Sequence, residues 1–426
     1  MQPGAGGGGP SLGPKNKRMI KRVTIAQLTP GMYVEDTGLT WHEHPYLFTH
    51  AGLIRDRQQV ERILGEGYRD AFINTDKGLD LDGPGAPGYD ALVRREEQVA
   101  EDGGEAGEAG ALEREMPEAK RIFTESVRYA KSFMGDARLG RPIDFAASGD
   151  MVDSMIESVA RNAAAMLSLA KLRANDEYTF THCINVSLLS VLFGRYLGLG
   201  REALRLLGFA GLFHDLGKAR MPEEVLNKPG KLTEEEFAVM KRHPAEGFLM
   251  MRQDTRIGPE VLRGVLEHHE KCDGTGYPRG LAGDAIGAFA RIIGVADVYD
   301  ALTSARVYKS GMPPSQALRI VYELKDSSFY PGQVEKFIKC LGIYPLGSFV
   351  ALSTGEHAVV VAVHHKNTLH PTVKIVCDAA LAKIPPRTLD LAALAARDGE
   401  NAPKIVACLD PRPLGVDLSG LEESAR

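Results

Sequence analysis

The sequence predicts a mainly α protein: a helical bundle domain, preceded by a small α+β domain and followed by a short β appendage. Three observations lead there. Between Pro117 and about Leu341, apolar residues recur at helical spacing through one long segment after another. Ahead of Lys77, short β-like runs flank a single helical stretch. Beyond Pro345 the period switches from helical to alternating.

Residues 1–18 are rich in Gly and Pro and are expected to form a disordered tail. The small α+β domain is placed at 19–77. RVTI, MYVED and YLFTH read as strands, IRDRQQVERILGEG as a helix and DAFINT as a further apolar run. Thr29, Pro30 and Gly31 make a turn between the first two runs. Residues 78–116 contain GLDLDGPGAPGYD and EDGGEAGEAG, too little apolar surface to offset the entropy of ordering. They read as a flexible acidic linker, with some helix at its C-terminal end where LEREMPEAKRIF begins.

The helical domain is placed at 117–341. Its segments include MVDSMIESVARNAAAMLSLAKL, YTFTHCINVSLLSVLFGRYLGL and REALRLLGFAGLFHDLGK. TEEEFAVMKRH opens with a capping box at Thr233 and Glu236. VLRGVLEHHE, AFARIIGVADVYDALTS and SQALRIVYELKD complete the set. In the β-rich extension, 342–426, SFVALSTGEHAVVVAVHH reads as a hairpin turning at Thr354 and Gly355, with TVKIVCD as a third strand. No internal repeat is visible.

With 426 residues the chain has room for two or three domains at roughly 150 residues each. A net charge of −5 argues against a general binder of nucleic-acid polymers and leaves room for a small anionic substrate. The five cysteines are widely spaced and form no C-x-x-C, which fits a reducing compartment and argues against a disulfide framework or a thiolate zinc cluster. The N-terminus lacks the apolar stretch of a signal peptide, and apolar runs such as Ala358 to Val363 are too short to span a bilayer. A cytoplasmic protein without membrane insertion is expected.

Chemistry is concentrated where polar residues interrupt apolar helices. His214 and Asp215 follow a stretch apolar on nearly every side, and an unpaired carboxylate buried there would cost several kcal/mol. Lys218, four residues after His214 and three after Asp215, falls on the same face of a continuous helix. An ordinary buried Asp–Lys pair beside a core histidine fits that dipeptide equally well. What shifts the balance is repetition: His182, His243, His268, His269 and Asp297 also lie in or beside apolar helical segments. Imidazoles and carboxylates without thiolates suit Fe, Mn or Zn. So many ligands exceed the needs of one ion, whereas two ions sharing a carboxylate would use them. Asp215 is the natural bridge.

The loop after Glu270, KCDGTGYPRGLAGD, is dense in Gly and starts directly at two proposed ligands. It reads as a ligand-facing loop offering Tyr277 as a ring for a base, or otherwise as a plain helix connection. Arg306, Tyr308 and Lys309 follow Asp297 and Asp300. With Lys218 they would place cations around a phosphodiester, although alone they read as a solvated helix end. His42, Glu43 and His44 with His50, and His364 with His365, are metal-capable in type but are read as surface or loop histidines.

Taken together, these motifs resemble the HD-GYP phosphodiesterases. The resemblance rests on H-D-x-G-K at His214 to Lys218, H-H-E then D-G-x-G-Y-P from His268 to Pro278, and D-x-x-D-A-L-T from Asp297 to Thr303. KRHP ending at Pro244 and YTxxH ending at His182 add further ligand positions. It covers roughly residues 120 to 341, and the first 77 residues are similar to the small domain often found ahead of HD-GYP modules. The resemblance implies an all-helical HD-type fold and hydrolysis of cyclic di-GMP to pGpG, with GMP as a further product. It implies two divalent transition-metal ions, Fe or Mn first, a hydroxide bridging them as the attacking group, and His182, His214, Asp215, His243, His268, His269 and Asp297 as metal ligands. Catalysis is assigned to His214, Asp215 and Lys218, and substrate contact to Lys218, Tyr277, Arg306 and Lys309. Some members hold a third metal through a glutamate four residues before the first histidine. Here that position is Tyr178, and Glu177 points roughly 100° away on a helix, so a dinuclear centre is expected. Protein partners through the GYP loop or the N-terminal domain, and a homodimer, are compatible with this reading. Its alternatives are hydrolysis of another cyclic dinucleotide or nucleotide, or a non-catalytic cyclic di-GMP-binding regulator.

Overall fold

The computed structural model describes residues 20–37, 47–75, 77–80, 109–170, 178–228, 230, 232–304, 311–364 and 367–416. The expected tail at 1–18 and most of the expected linker lie outside them. Two compact units are distinguished, Met1–Asp36 with Tyr46–Gly85, and Thr37–Pro45 with Ala86–Arg426.

The first unit is a small sheet with one helix. Strands β1 (Ile20–Thr24), β2 (Tyr33–Val34), β3 (Leu47–Phe48), β4 (Gly52–Leu53) and β5 (Asp70–Asn74) pair in the order β1-β5-β2-β4, with β3 parallel to β5. Helix α1 (Arg57–Gly65) starts at Asp56, whose side chain accepts from the Gln59 N–H and so satisfies one orphan donor of the first turn. Val60 and Ile63 of α1 are buried, as are Ala71, Phe72 and Ile73 of β5.

Most of the second unit is helical. Its first helix, α2 (Ala109–Arg138), begins upstream of Pro117 and carries that proline inside it. The run LEREM, made of good helix formers, nucleates the turns before the proline. Next, α3 (Ala147–Ala170) is broken at Asn162, whose extended backbone lets its side chain accept from the Ala164 and Ala165 N–H groups and restart the helix. Then come α4 (Tyr178–Tyr196), α5 (Arg201–Phe213), α6 (Glu223–Leu226), α7 (Glu234–Met240), α8 (His243–Met251), α9 (Pro259–Glu267), α10 (Ala288–Thr303), α11 (Pro314–Glu323) and α12 (Gln333–Leu341). The α4 sequence is apolar all round, and Cys183, Ile184, Val186, Leu188, Val191 and Phe193 are buried. Such a helix can only lie at the centre of a bundle.

The chain ends in a five-stranded antiparallel sheet with one helix. Strands β6 (Phe349–Leu352), β7 (His357–Ala362), β8 (Thr372–Cys377), β9 (Lys383–Asp390) and β10 (Ile405–Leu409) are ordered β10-β6-β7-β8-β9, and α13 (Leu391–Asp398) contributes Leu391 to the core. Two of these strands go beyond the three read from sequence. β9 escapes a pattern search because it contains Pro385 and Pro386. Those prolines fall on an edge strand where the β8 register shifts, so no ladder donor is lost.

Candidate metal centre

Five separate segments bring the proposed ligands together. His182 lies in the first turns of α4, and His214 caps the end of α5. The helix does not run on through Lys218 as the sequence suggested. It gives way at Asp215 to a tighter 3₁₀ turn over Leu216–Arg220. Gly217 explains the change: a Cβ there would sit 1.9 Å from the His243 carbonyl oxygen, so only glycine lets this turn lie against the start of α8. His243 is the first residue of α8, while His268 and His269 follow the last turn of α9. Asp297 and Asp300 project from α10, whose Gly294 passes so near the His268 carbonyl that a Cβ would be 2.9 Å from it.

Asp215 stands at the middle of this set, 1% exposed, with its two oxygens facing different histidines. Oδ2 lies 3.3 Å from His214 Nε2 and 3.6 Å from His182 Nε2. Oδ1 lies 3.3 Å from His243 Nε2 and 3.9 Å from His268 Nε2. Asp297 Oδ1 is 3.1 Å from His182 Nε2 and 3.9 Å from His214 Nε2, and Asp297 Oδ2 is 4.0 Å from His269 Nδ1. Three groupings have the compactness to hold an ion: Asp215 with His243, His268 and His269; Asp215 with His182 and His214; and Asp297 with His214 and His268. Asp215 belongs to two of them.

Four of the imidazoles are aimed from behind. His214, His243 and His268 each turn Nδ1 to a backbone carbonyl three residues earlier, those of Gly211, Met240 and Val265, at 2.7–2.9 Å. His182 turns Nδ1 to Asp300 Oδ2 at 2.8 Å. A carbonyl only accepts, so the Nδ1 proton is committed outward and the Nε2 lone pair faces the centre. His243 Nε2 and His268 Nε2 then approach to 3.4 Å. Two lone pairs pointed at each other repel unless a proton or a metal ion lies between them.

The electrostatics agree for three of the histidines. Burial pushes His243 and His269 down, and takes His268 down to about 3 with help from the neighbouring His214 and His243. These rings are therefore neutral at pH 7 and able to ligate. For Asp215, burial alone would raise the carboxyl, but Lys218 and His214 hold it well below the usual carboxylate range. His182 goes the other way: burial opposes its charge, yet Asp297 and Asp300 push it up to about 10. Two buried atoms, His214 Nε2 and Asp215 Oδ1, have no hydrogen-bond partner. A lone pair and a carboxylate oxygen left unsatisfied in a dry interior fit a metal ion and are otherwise costly.

Residues 154–334 match the HD domain family, and residues 20–148 match a domain of unknown function, DUF3391. The chain is 37% identical over 374 residues to the cyclic di-GMP phosphodiesterase PA4108 of Pseudomonas aeruginosa, across 88% of this chain and 89% of that protein. This chain belongs to the HD-GYP phosphodiesterase family. It is also 39% identical over 191 residues to the cyclic di-GMP phosphodiesterase response regulator RpfG of Xanthomonas campestris, a match spanning 44% of this chain and 50% of that protein. The 3'3'-cGAMP-specific phosphodiesterase 1 of Vibrio cholerae is 40% identical over 158 residues, 37% of this chain and 36% of that protein. HD domain phosphodiesterases are metal-dependent, and the buried His/Asp cluster described above suits that dependence.

The HD-GYP loop is tied down at both ends. Glu270 accepts from the Arg279 and Leu281 N–H groups at 2.7 and 2.9 Å, and the buried Glu267 accepts from Arg263, Arg279 and the Gly287 N–H. Tyr277 is thereby laid over His269, ring centroids 4.8 Å apart and planes within 29°. Lys218 reaches Asp215 Oδ2 at 2.5 Å from a partly exposed position. Arg306, Tyr308 and Lys309 lie outside the described residues, as do His42, Glu43, His44 and His365. His50 is exposed. His364, read as a surface or loop histidine, is instead buried beside Thr372 and 3.3 Å from Asp390, because it follows β7 into the edge of the sheet core. Sequence reasoning gave no role to Asp300 or Asn185. Asn185 Nδ2 donates to Asp300 Oδ1 at 2.8 Å, which fixes the carboxylate behind His182. The available signal was spacing, since each lies one helical turn after a proposed ligand. All five cysteines are free thiols. No helix of the described residues is long and apolar enough to cross a membrane.

Proposed function

We infer that this protein hydrolyses cyclic di-GMP to linear pGpG, with GMP as a further product, at a dinuclear metal centre bridged by Asp215. The observation that carries the reading is the division of the Asp215 oxygens, Oδ2 toward His182 and His214 and Oδ1 toward His243 and His268. One ion would be held by His182, His214, Asp215 and Asp297, the other by Asp215, His243, His268 and His269. When bound, two such ions supply an activated water and offset charge on a phosphoryl group. Histidines with carboxylates and no thiolate suit Fe, Mn or Zn, and the family resemblance puts Fe or Mn first.

The protein's own groups do the rest. Lys218 sits at the rim, where its ammonium neutralises Asp215 and offers protons to a phosphoryl oxygen. Tyr277 has one face against His269, so a guanine base would meet its other face or its edge. Arg306 and Lys309 are assigned to the substrate phosphates on their motif positions alone. We read 117–341 as the catalytic domain and 19–77 as its N-terminal partner domain, separated by 78–116 and followed by the extension at 342–426. A second reading, 3'3'-cGAMP as substrate, is prompted by the Vibrio relative of that specificity, whose match spans 37% of this chain, but the relative matching over 88% of it is a cyclic di-GMP phosphodiesterase.

Both readings are tested by incubating the metal-loaded protein with each cyclic dinucleotide and resolving products by chromatography. Turnover of cyclic di-GMP at least tenfold faster than 3'3'-cGAMP, abolished in the His214→Ala, Asp215→Ala double variant, is the expected result. The reverse preference would move the assignment to the second substrate, and no turnover of either in any metal-loaded form would remove it.

A further inference from the structure

His269 differs from the other histidines of the centre. His182, His214, His243 and His268 are each aimed by a hydrogen bond at Nδ1. Among the described residues, no hydrogen bond holds either nitrogen of His269. Its ring is bounded by Tyr277, His268 and His243, contacts that restrict the plane but not the tautomer. A ligating imidazole ordinarily donates its other N–H to an acceptor.

Behind the centre, between the start of the HD-GYP loop, α10 and the N-terminus of α12, lies a cavity of about 40 Å³. His268, His269 and Gln333 are among the residues lining it. A single water needs on the order of 10–15 Å³ on this measure, so the space admits a few waters and no organic ligand of useful size. Gln333 is 8% exposed, and its Oε1 is buried without a hydrogen-bond partner. Leaving such an oxygen unsatisfied is costly. Three other polar residues of the lining are already engaged. Glu270 accepts two loop N–H groups, Arg291 donates to the Ile286 carbonyl and packs over Tyr330, and Tyr330 donates to Asp284.

We propose that Gln333 is a positioning residue for His269, acting through water held in this cavity. The outward N–H of His269 donates to the water, and the water donates to Gln333 Oε1. One acceptor then fixes the His269 tautomer and ring orientation as the carbonyls and Asp300 do for the other four. Because Gln333 is the first residue of α12, the relay ties that helix to the metal centre. The proposal rests on His269 being a metal ligand, as inferred above.

The test is competition of the full-length protein against a chelator for Mn²⁺, read as metal retained, in Gln333→Leu, Gln333→Met and Gln333→Glu. The two apolar variants are expected to weaken retention about 10- to 100-fold, and the glutamate, which keeps an acceptor, to stay within about threefold of wild type. Thermal unfolding in excess chelator separates this from a packing defect. In excess chelator the apolar variants should melt within about 5 °C of wild type, the size of one lost hydrogen bond, and a larger metal-free destabilisation would mark a packing defect and count against the relay. In a His269→Ala background, Gln333→Leu should cause no further loss. Wild-type retention in both apolar variants, or an equal loss with and without His269, would overturn the relay while leaving the metal centre standing. If His269→Ala alone does not weaken retention, the ligand assignment fails and the relay with it.

Discussion

At His182 the imidazole is held between two carboxylates, Asp300 behind and Asp297 in front, and Asn185 in turn holds Asp300. Replacing Asp300 by Asn keeps the shape but removes the charge that aims His182. Metal affinity and turnover are expected to fall about 10- to 100-fold with the far-UV circular dichroism unchanged, the usual size for an outer-shell partner. Lys218→Met acts on the other side of the centre. It removes a donor at the developing charge, so kcat should drop by about 10² to 10³ with a smaller change in KM. The ligands themselves were legible because ionisable residues inside apolar helices demand an explanation. Asp300 was not, because its partner His182 is 118 positions away and its role exists only once α4 and α10 touch. Sequence pointed to Asp215 as the shared carboxylate but could not show which rings each of its oxygens faces, since that depends on where the helix ends.

That ending belongs to the turn at Gly217. Gly217→Ala would drive a methyl into the His243 carbonyl, and separating the turn from α8 moves Asp215 away from His243. Urea unfolding should show a loss of about 1–3 kcal/mol or more, with activity lost beyond what stability explains. A second element contact carries a pH signature. The Arg161 guanidinium, reaching from α3, and the Ser158 hydroxyl hold Glu115 of α2 below its ordinary value of 4.5, against the raising effect of burial. A depressed carboxylate contributes stability above its unfolded pKa and loses it as pH falls through the folded one. The stability gap between wild type and Glu115→Gln is therefore expected at pH 7 and should close progressively below about pH 4.5. Thermal melts from pH 7 to 3 check this. Helices were the most legible elements, because their apolar faces repeat over many turns. The break in α3 and strand β9 were not: Asn162 is a capping residue inside an apolar repeat, and two prolines hide a strand whose register shift accommodates them.

For the molecule as a whole, the metal centre joins segments from His182 to Asp297 and should act as a fold-stabilising ligand. Anything bound only by the folded state raises the unfolding midpoint by mass action. Removing metal with a chelator is expected to lower the midpoint of the helical unit by several degrees. The sheet-and-helix unit at the N-terminus, which holds none of these residues, should keep its own transition. The metal count per chain bears most directly on the bridging role of Asp215. Elemental analysis of protein loaded with Mn²⁺ and freed of loose ions should give two equivalents in the wild type and at most one in Asp215→Ala. One equivalent in the fully loaded wild type, or two retained by Asp215→Ala, would contradict a centre bridged by that carboxylate.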